Sequence, residues 1–184
     1  LSNTKEFYVA YASGGIFKTI NNGITFEPIF DNSDGMIVGD FVLSQSDPKL
    51  MYVGTGEKNG SRSSYAGTGM YKTTNGGESW QQIGLTSSHH ISRVVIDPND
   101  NNKVWVAVIG ALYSKNQERG VFRSVDGGKT WKQALFVNNQ TGCSDLVMEP
   151  GNPEIFYAGM WRVKRSPYNM ESGGEGSGLY KSID

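Results

Sequence analysis

An eight-residue segment recurs along the chain and constrains its fold more than any other feature. It reads SVDGGKTW at residues 124–131, TTNGGESW at 73–80 and TINNGITF at 19–26, and its first three positions return as SID at 182–184. The copies begin 54, 51 and 58 residues apart. Each begins at the end of the same lead-in, which is a glycine, an aliphatic, an aromatic, a cation and a hydroxyl residue, as in GVFRS at 120–124. The chain is therefore predicted to be a tandem repeat of one structural unit.

A second element repeats in phase with the first. Two apolar runs flank a turn in which an acidic residue precedes proline, at positions 47–48, 97–98 and 149–150. The two apolar runs are the first two strands of a unit, the lead-in is the third, and the fourth opens at the final aromatic residue of the segment. Each unit thus supplies four short strands and no amphipathic helix. Strand repeats of this length are typical of β-propeller blades. We therefore predict an all-β fold, a β-propeller of four-stranded antiparallel blades.

The repeats also predict the blade boundaries. Residues 6–30 should supply the end of one blade, 36–85 and 88–136 two complete blades, and 142–184 a blade truncated within its own copy of the segment. Residues 1–184 would thus form one partial propeller of about three and a half blades, whereas closed propellers have about 4–8. We expect the sequence to be a piece of a longer chain that supplies the remaining blades.

The repeated segment, hereafter the box, is predicted to be the turn between the third and fourth strands. Asp126 should accept hydrogen bonds from backbone N–H groups of its own turn, as an asparagine would. Gly127 and Gly128 should take positive φ angles, and Trp131 should bury its ring. A catalytic acid is needed once, not in every unit, so this role is interpreted as structural. It is assigned to Asn21, Asn75, Asp126, Asp184, Trp80 and Trp131.

The segment SVDGGKTW resembles the Asp-box, or bacterial neuraminidase repeat, whose pattern is S-x-D-x-G-x-T-W. The sequence between the boxes, with GTGE at 54–57 and ERGVFRS at 118–124, looks most like that of bacterial glycosyl-hydrolase-type and sortilin-like repeat propellers. The resemblance implies a β-propeller and an extracellular or periplasmic location. It does not imply one activity, because the family includes sialidases, xyloglucan-cleaving glycosidases, a sortilin-type receptor propeller and a photosystem II assembly factor.

Composition argues against several kinds of partner. The net charge of −1 argues against nucleic acids and anionic membrane surfaces. No apolar run approaches the roughly 18 residues of a membrane-spanning helix.

Cys143 is the single cysteine and is predicted to be buried. No third metal ligand has a recognisable spacing from His89 and His90, so neither a metal nor a cofactor is predicted.

The candidate site is predicted in loops on the face opposite the boxes. The loops between second and third strands, at 55–68, 110–119 and 160–177, combine aromatics, arginines and carboxylates, which suit a glycan or a peptide carboxylate. The links between blades should bring Asp40, His90, Arg93 and Asp145 near the propeller axis. A bracing role for His90 and a capping role for Asp145 remain alternatives. Ligand contacts are expected from His90, Arg93, Arg119, Trp161, Arg162 and Tyr168.

Two functions fit this pattern. One is a binding platform for a glycan, peptide or protein, which needs no catalytic pair. The other is a sialidase-like or xyloglucanase-like glycoside hydrolase, which usually needs two carboxylates. Its candidate acids are Asp40, Glu57, Glu118 and Asp145. The sequence leaves open whether the protein is an enzyme, and an assembly chaperone with protein ligands is a third possibility.

Overall fold

The computed structural model describes residues 3–183, in which 15 β-strands and no helix are found. The first antiparallel sheet contains β1 (Phe7–Tyr11), β2 (Gly15–Thr19) and β3 (Glu27–Pro28). The second contains β4 (Val38–Leu43), β5 (Met51–Thr55), β6 (Met70–Thr73) and β7 (Gln81–Gln82). The third contains β8 (Ile91–Asp97), β9 (Asp100–Val108), β10 (Gly120–Ser124) and β11 (Lys132–Leu135). The fourth contains β12 (Thr141–Glu149), β13 (Asn152–Arg165) and β15 (Gly178–Ser182), with β14 (Met170–Ser172) paired to the far end of β13.

The four sheets are named blades 1 to 4 in chain order. Strands are hydrogen-bonded in chain order within blades 1 to 3, so each blade is an up-and-down meander. The first strands of blades 2, 3 and 4, which are β4, β8 and β12, lie side by side in succession. The all-β prediction is confirmed, and blades 2 and 3 are the predicted four-stranded antiparallel sheets, whereas blade 1 has three described strands. Asp184, which was assigned to a fourth box, lies outside the described residues.

The hydrophobic core lies between the blades. Tyr52 and Met70 of blade 2 pack with Val94 and Val106 of blade 3 in one continuous cluster. The next interface is built in the same way, from Trp105 of blade 3 and apolar residues of β12 and β13. Central strands are covered on both faces, which is why β5 is buried at every position. This explains why β5 and the second half of β9 read as continuous apolar runs that do not alternate with polar residues.

Within a box, a hydroxyl and an acid satisfy the turn together. Ser124 Oγ donates to Asp126 Oδ1 over 2.7 Å and accepts the N–H of Gly128 over 2.8 Å. Asp126 Oδ1 also accepts the N–H of Thr130 over 2.9 Å, and its second oxygen accepts the Thr130 hydroxyl. The hydrogen bonds expected for Asp126 are therefore present, and they hold the pKa of its carboxyl well below the usual range. The bridging role of the first hydroxyl had not been foreseen.

The two boxes that carry asparagine keep the same pattern of contacts, with one bond reversed. Asn75 Oδ1 accepts the N–H of Ser79 over 3.1 Å, and Asn21 Oδ1 accepts the N–H of Thr25 over 3.0 Å. The preceding threonine hydroxyl donates to the amide oxygen in both cases. The amide nitrogen then donates to the hydroxyl of Ser79 or Thr25, over 2.9 and 2.8 Å, where Asp126 accepts from Thr130. Asparagine thus replaces the acid because a hydroxyl group can serve as either donor or acceptor.

Box tryptophans join consecutive blades. Trp131 Nε1–H donates to the carbonyl of Ile83 over 2.6 Å, and Trp80 Nε1–H donates to the carbonyl of Ile29 over 2.6 Å. Both acceptors lie at the end of the last strand of the preceding blade. The sequence predicted that the ring is buried, but not that its N–H reaches back to another unit. Phe26 fills the same box position in blade 1 and has no N–H to satisfy.

The lead-in cation has an aromatic partner that the sequence repeat does not reveal. In each blade the cation lies directly opposite an aromatic residue of a paired strand that lies earlier in the chain. The pairs and their charge-to-ring distances are Lys18 over Tyr8 at 5.6 Å, Lys72 over Tyr52 at 5.2 Å, Arg123 over Trp105 at 5.2 Å and Lys181 over Tyr157 at 5.3 Å. Lys72 Nζ also donates to the carbonyl of Gly127 in the next blade, over 3.1 Å. The cation of one blade therefore helps to hold the box of its successor.

One predicted loop contains regular structure. Residues 160–177 were expected to form a long insertion, but β13 continues to Arg165 and pairs with β14 through Val163 and Ser172. Buried and more exposed residues alternate along β13 as far as Met160, and Val163 is buried as well. Val163 packs against Ile109 and Leu112, and this contact stabilises the strand beyond the blade. The insertion is therefore a short hairpin.

Replacing Trp131 by phenylalanine should separate the hydrogen bond from ring burial. Trp131→Phe should lower the free energy of unfolding by about 1 kcal/mol, because the carbonyl of Ile83 loses its donor. Trp131→Ala should cost roughly 2–4 kcal/mol, because a large apolar contact is lost as well. Urea unfolding of both variants tests this, and an unchanged Trp131→Phe midpoint would mean that the bond contributes nothing.

Asp126→Asn should be tolerated, whereas Asp126→Ala should lower the melting temperature. The asparagine can accept the turn N–H with its amide oxygen and donate from its amide nitrogen to the Thr130 hydroxyl, as Asn75 does with Ser79. Alanine leaves the turn N–H of Thr130 without its acceptor. Because the folded-state pKa of Asp126 lies below its ordinary value of 3.8, its contribution is present above that pH and is lost on further acidification. Melting curves at neutral and acidic pH measure both effects, and equal curves for the two variants would contradict the role assigned to the acid.

Candidate functional site

The first strands of three consecutive blades are bulged at equivalent positions. The pairing register shifts between Val38 and Asp40 in β4, between Ile91 and Arg93 in β8, and between Cys143 and Asp145 in β12. The skipped residue is glycine at position 39 and serine at 92 and 144. A bulge redirects the side chains beside it, and bulges are common next to functional sites. The residues that follow the three bulges are Asp40, Arg93 and Asp145.

Arg93 lies between the two acids, and the three residues are named the axial row. Arg93 Nε donates to Asp145 Oδ1 over 2.8 Å, and Arg93 Nη1 lies 3.8 Å from Asp40 Oδ1. Asp40 Oδ2 accepts the N–H of Val94, also in the next blade, over 2.9 Å. The side chains of Arg93 and Asp145 are 39% and 52% exposed, whereas that of Asp40 is only 15% exposed. The sequence placed these residues in the same region, and the structure joins them as acid, base and acid.

The two carboxylates of the axial row have opposite pKa shifts. Burial raises the pKa of Asp40 above its ordinary value, although the Val94 N–H and Arg93 oppose the shift. The hydrogen bond from Arg93 lowers the pKa of Asp145. Lys58, in the 55–68 loop, also favours the charged form of both acids. That loop therefore lies close to the axial row, although no sequence signal had singled out Lys58.

His90 lies in the interior, with a residue exposure of 1%. Its Nδ1 is 2.8 Å from the carbonyl of Glu57, and burial lowers the pKa of the imidazole to about 4. The ring is therefore neutral at pH 7, and Nδ1 carries the proton that this carbonyl accepts. His90 does not present its ring to a ligand at the surface, and its contacts match the bracing role left open above.

Among residues 3–183, neither of the other two candidate acids forms an ion pair with the axial row. Glu57 is a buried residue whose backbone N–H donates to the carbonyl of Tyr65 over 3.1 Å. Glu118 Oε2 accepts the N–H of Ser87 over 2.8 Å, which ties the 110–119 loop to the link between blades 2 and 3. Asn116 strengthens the same junction by donating to the carbonyl of Ser87 over 3.0 Å. A structural task therefore occupies the carboxylate of Glu118.

The predicted ligand-binding loops pack on one another. Tyr113 Oη donates to the carbonyl of Arg62 over 2.7 Å, and Arg165 Nε donates to the carbonyl of Gly60 over 2.8 Å. The 55–68 loop of blade 2 thus contacts both the 110–119 loop of blade 3 and the hairpin of blade 4. The three loops form one continuous surface on the face opposite the boxes.

The expected ligand contacts divide into buried and exposed groups. Trp161 packs in a small cluster under the loops, and its Nε1–H donates to Ser172 Oγ over 3.0 Å. Arg119 is only 1% exposed. Arg162 Nη2 lies 3.9 Å from Glu171 Oε2 at the hairpin, and Tyr168 at its tip is 98% exposed. His90 and Arg119 are the buried members of this set, Trp161 is partly buried, and Arg93, Arg162 and Tyr168 offer side-chain surface to a ligand.

The described residues contain neither a metal-binding cluster nor a membrane-spanning helix. No three His, Cys, Asp or Glu side chains between residues 3 and 183 are grouped so as to hold a metal ion. Over the same range, no helix has the length and apolar character needed to cross a membrane. Cys143 is buried as predicted, and burial raises the pKa of its thiol to about 12.

Comparison with known proteins confirms the resemblance seen in the sequence. Residues 122–133, which contain the whole third box, match the model of the BNR/Asp-box repeat. No curated protein sequence matches the chain.

Three solved structures have a similar fold. An ancestral GH74 enzyme is 20% identical and covers 85% of this chain, with a TM-score of 0.65. The GH74 xyloglucanase from Xanthomonas campestris is 12% identical and covers 99%, with a TM-score of 0.66. YCF48, solved bound to a D1 peptide, is 17% identical and covers 92%, with a TM-score of 0.52. At these identities the likeness shows the fold alone, and it confirms the predicted β-propeller architecture.

The chain matches only part of each of these proteins. It spans 21% and 27% of the two GH74 chains and 51% of the YCF48 chain. The arc of blades described above is thus similar to a portion of larger propeller proteins.

Acidification should destabilise the protein through His90. The folded-state pKa of about 4 lies below the ordinary value of 6.5, so the unfolded chain binds a proton first as the pH falls. The free energy of unfolding should drop by roughly 1–3 kcal/mol between these two pH values and level off below them. His90→Asn, which can still donate to the Glu57 carbonyl, should flatten this part of the profile. His89→Asn is the control, because His89 has a φ of 59° that asparagine adopts readily, and it should leave the slope intact.

Proposed function

We propose that the chain is part of a binding platform for a glycan or peptide ligand. The ligand is held by the face opposite the boxes, where the axial row meets the loop surface. The observation that carries the proposal is the axial row itself. Three equivalent post-bulge positions carry acid, base and acid, although the surrounding strands are built from apolar residues. The fold needs a strand at these positions, but it does not need charges there.

The chemistry of the axial row suits a polar ligand. Arg93 uses Nε for Asp145 and is loosely placed against Asp40, so N–H groups of its planar guanidinium remain available to donate to a ligand carboxylate or hydroxyl oxygen. Asp145 is half exposed and ionised, and can accept ligand hydroxyl or amide hydrogens. The exposed rings of Tyr65, Tyr113 and Tyr168 add apolar faces on the same loops, on which sugars or peptide side chains can pack.

The structural relatives are compatible with either ligand class. One of them is named as a xyloglucanase and another was solved with a bound peptide. Both carboxylates of the axial row are engaged by Arg93, which favours binding over acid–base chemistry.

A binding screen with matched charge variants tests the proposal. The chain would be applied to arrays of neutral and acidic oligosaccharides and of peptides, and affinities would be measured for each hit. Arg93→Gln and Asp145→Asn should weaken binding on the order of tenfold, which corresponds to about 1.4 kcal/mol. Lys129→Gln and Glu78→Gln, which remove equal charges on the box face, should leave it unchanged. Hits that are insensitive to both axial variants, or no hits at all, would overturn the proposal.

A hydrolase is the second candidate, and one observation favours it. The pKa of Asp40 is raised while that of Asp145 is lowered, and such divergence is found where one acid donates a proton and another stays ionised. In this case release of reducing ends from a glycan should be lost in both Asp40→Asn and Asp145→Asn. Glu118→Gln serves as the control, because its carboxylate is bound to the Ser87 N–H. Release that persists in Asp40→Asn would exclude this assignment.

A further inference from the structure

A cationic cavity lies among the loops, apart from the axial row. It has a volume of about 250 Å³ and is lined by Lys115, Arg119, Lys164, Gln140, Tyr113 and Ser114, with an apolar contact from β13. Three of these side chains are cations and none is an acid. The ion pairs formed by residues 3–183 include none of the three cations. The cavity is therefore a region of uncompensated positive charge.

Arg119 is the unusual member of this set. Its Nε donates to Asn116 Oδ1 over 2.8 Å, and its Nη2 donates to the carbonyls of Ala111 and Ser114 over 2.6 and 3.2 Å. All these partners are neutral. Its Nη1 is buried and has no hydrogen-bond partner within the part of the chain that the structure describes. A buried guanidinium with neutral partners and an unused donor is costly unless an anion compensates it.

The remaining lining favours a small acidic sugar. Tyr113 is about half exposed and offers a ring on which a sugar face can pack. Gln140 and Ser114 supply polar groups for hydroxyls, and Lys115 and Lys164 are exposed cations at the cavity. The volume of about 250 Å³ is just below the roughly 300 Å³ at which known ligand pockets begin. The cavity therefore suits a small ligand of about one monosaccharide.

We propose that this cavity binds the carboxylate of an acidic sugar unit, a hexuronate, held between Arg119 and the two lysines. The inference rests on the binding function proposed above and names one chemical feature of the ligand. The carboxylate compensates the buried charge of Arg119, and the sugar ring lies against Tyr113. The axial row would contact another part of the same ligand.

The probe is galacturonic acid, compared with galactose at equal concentration and low salt. Galacturonic acid should raise the melting temperature and shift the amide NMR signals of residues 113–119 and 163–164, whereas galactose should do neither. Added salt should weaken the effect, because lysine–carboxylate attraction at the surface is screened. Equal responses to acid and neutral sugar, or none to either, would overturn the proposal.

Arg119 also supports its own loop, so replacing it would disturb folding as well as binding. The test therefore uses variants of the two lysines. Lys115→Gln combined with Lys164→Gln should reduce the affinity for galacturonic acid at least about fivefold. Lys5→Gln combined with Lys129→Gln removes the same charge elsewhere and should change nothing. N-acetylglutamate tests the source of the carboxylate: binding as tight as that of galacturonic acid would replace the sugar by an acidic peptide and overturn the hexuronate assignment.

The same variants separate this site from the broader platform. Suppose that array binding falls in Arg93→Gln while the double lysine variant binds normally. The platform then stands and the acidic-sugar site is refuted. If the lysine variant alone loses binding, the cavity is supported and the axial row is not the contact surface.

Discussion

The packing of a box tryptophan against the preceding blade, through its ring and its N–H together, is the contact on which the rest of the architecture depends. Each blade buries its apolar faces against its neighbours and has little core of its own, so it needs a fixed separation from them. The indoles of Trp80 and Trp131 set that separation by reaching carbonyls of the blade before. The box turn positions the indole, and hydrogen bonds within the turn satisfy its acid and hydroxyl groups. Once the blades are spaced in this way, their first strands come together and the axial row can form.

The axial row shows how a repeat can acquire a site without changing its frame. The bulges are a property of the strand, and they recur in three blades irrespective of the charge that follows them. Only the identity of the next residue differs. The row of Asp40, Arg93 and Asp145 therefore arises from side-chain substitution on an equivalent backbone. The loops that reach it are held by bonds between blades 2, 3 and 4, so the site is shared by units that are far apart in sequence.

Most of the architecture could be predicted because it repeats. The boxes, the lead-ins and the acid–proline turns mark strand ends at regular distances, and the strands lie where those marks place them. The same comparison could have found the bulges, since residues 39–40, 92–93 and 144–145 each combine a small residue with a charged one. What the sequence could not show are contacts between parts that do not repeat. Lys58, the cavity around Arg119 and the hairpin built on Val163 depend on how individual loops pack, and no periodic signal marks them.

The reach-back tryptophans make the two sides of a joint between blades chemically different. At the joints between blades 1 and 2 and between blades 2 and 3, the later blade supplies an indole N–H and the earlier blade supplies a backbone carbonyl. A backbone carbonyl is present whatever the side chain, whereas the indole depends on one residue of the box. A substitution at Trp80 or Trp131 therefore removes a bond to the blade before it, and no substitution at the acceptor position removes the carbonyl. The effect of sequence change in a box is thus passed toward the N-terminus of the array, from each blade to its predecessor.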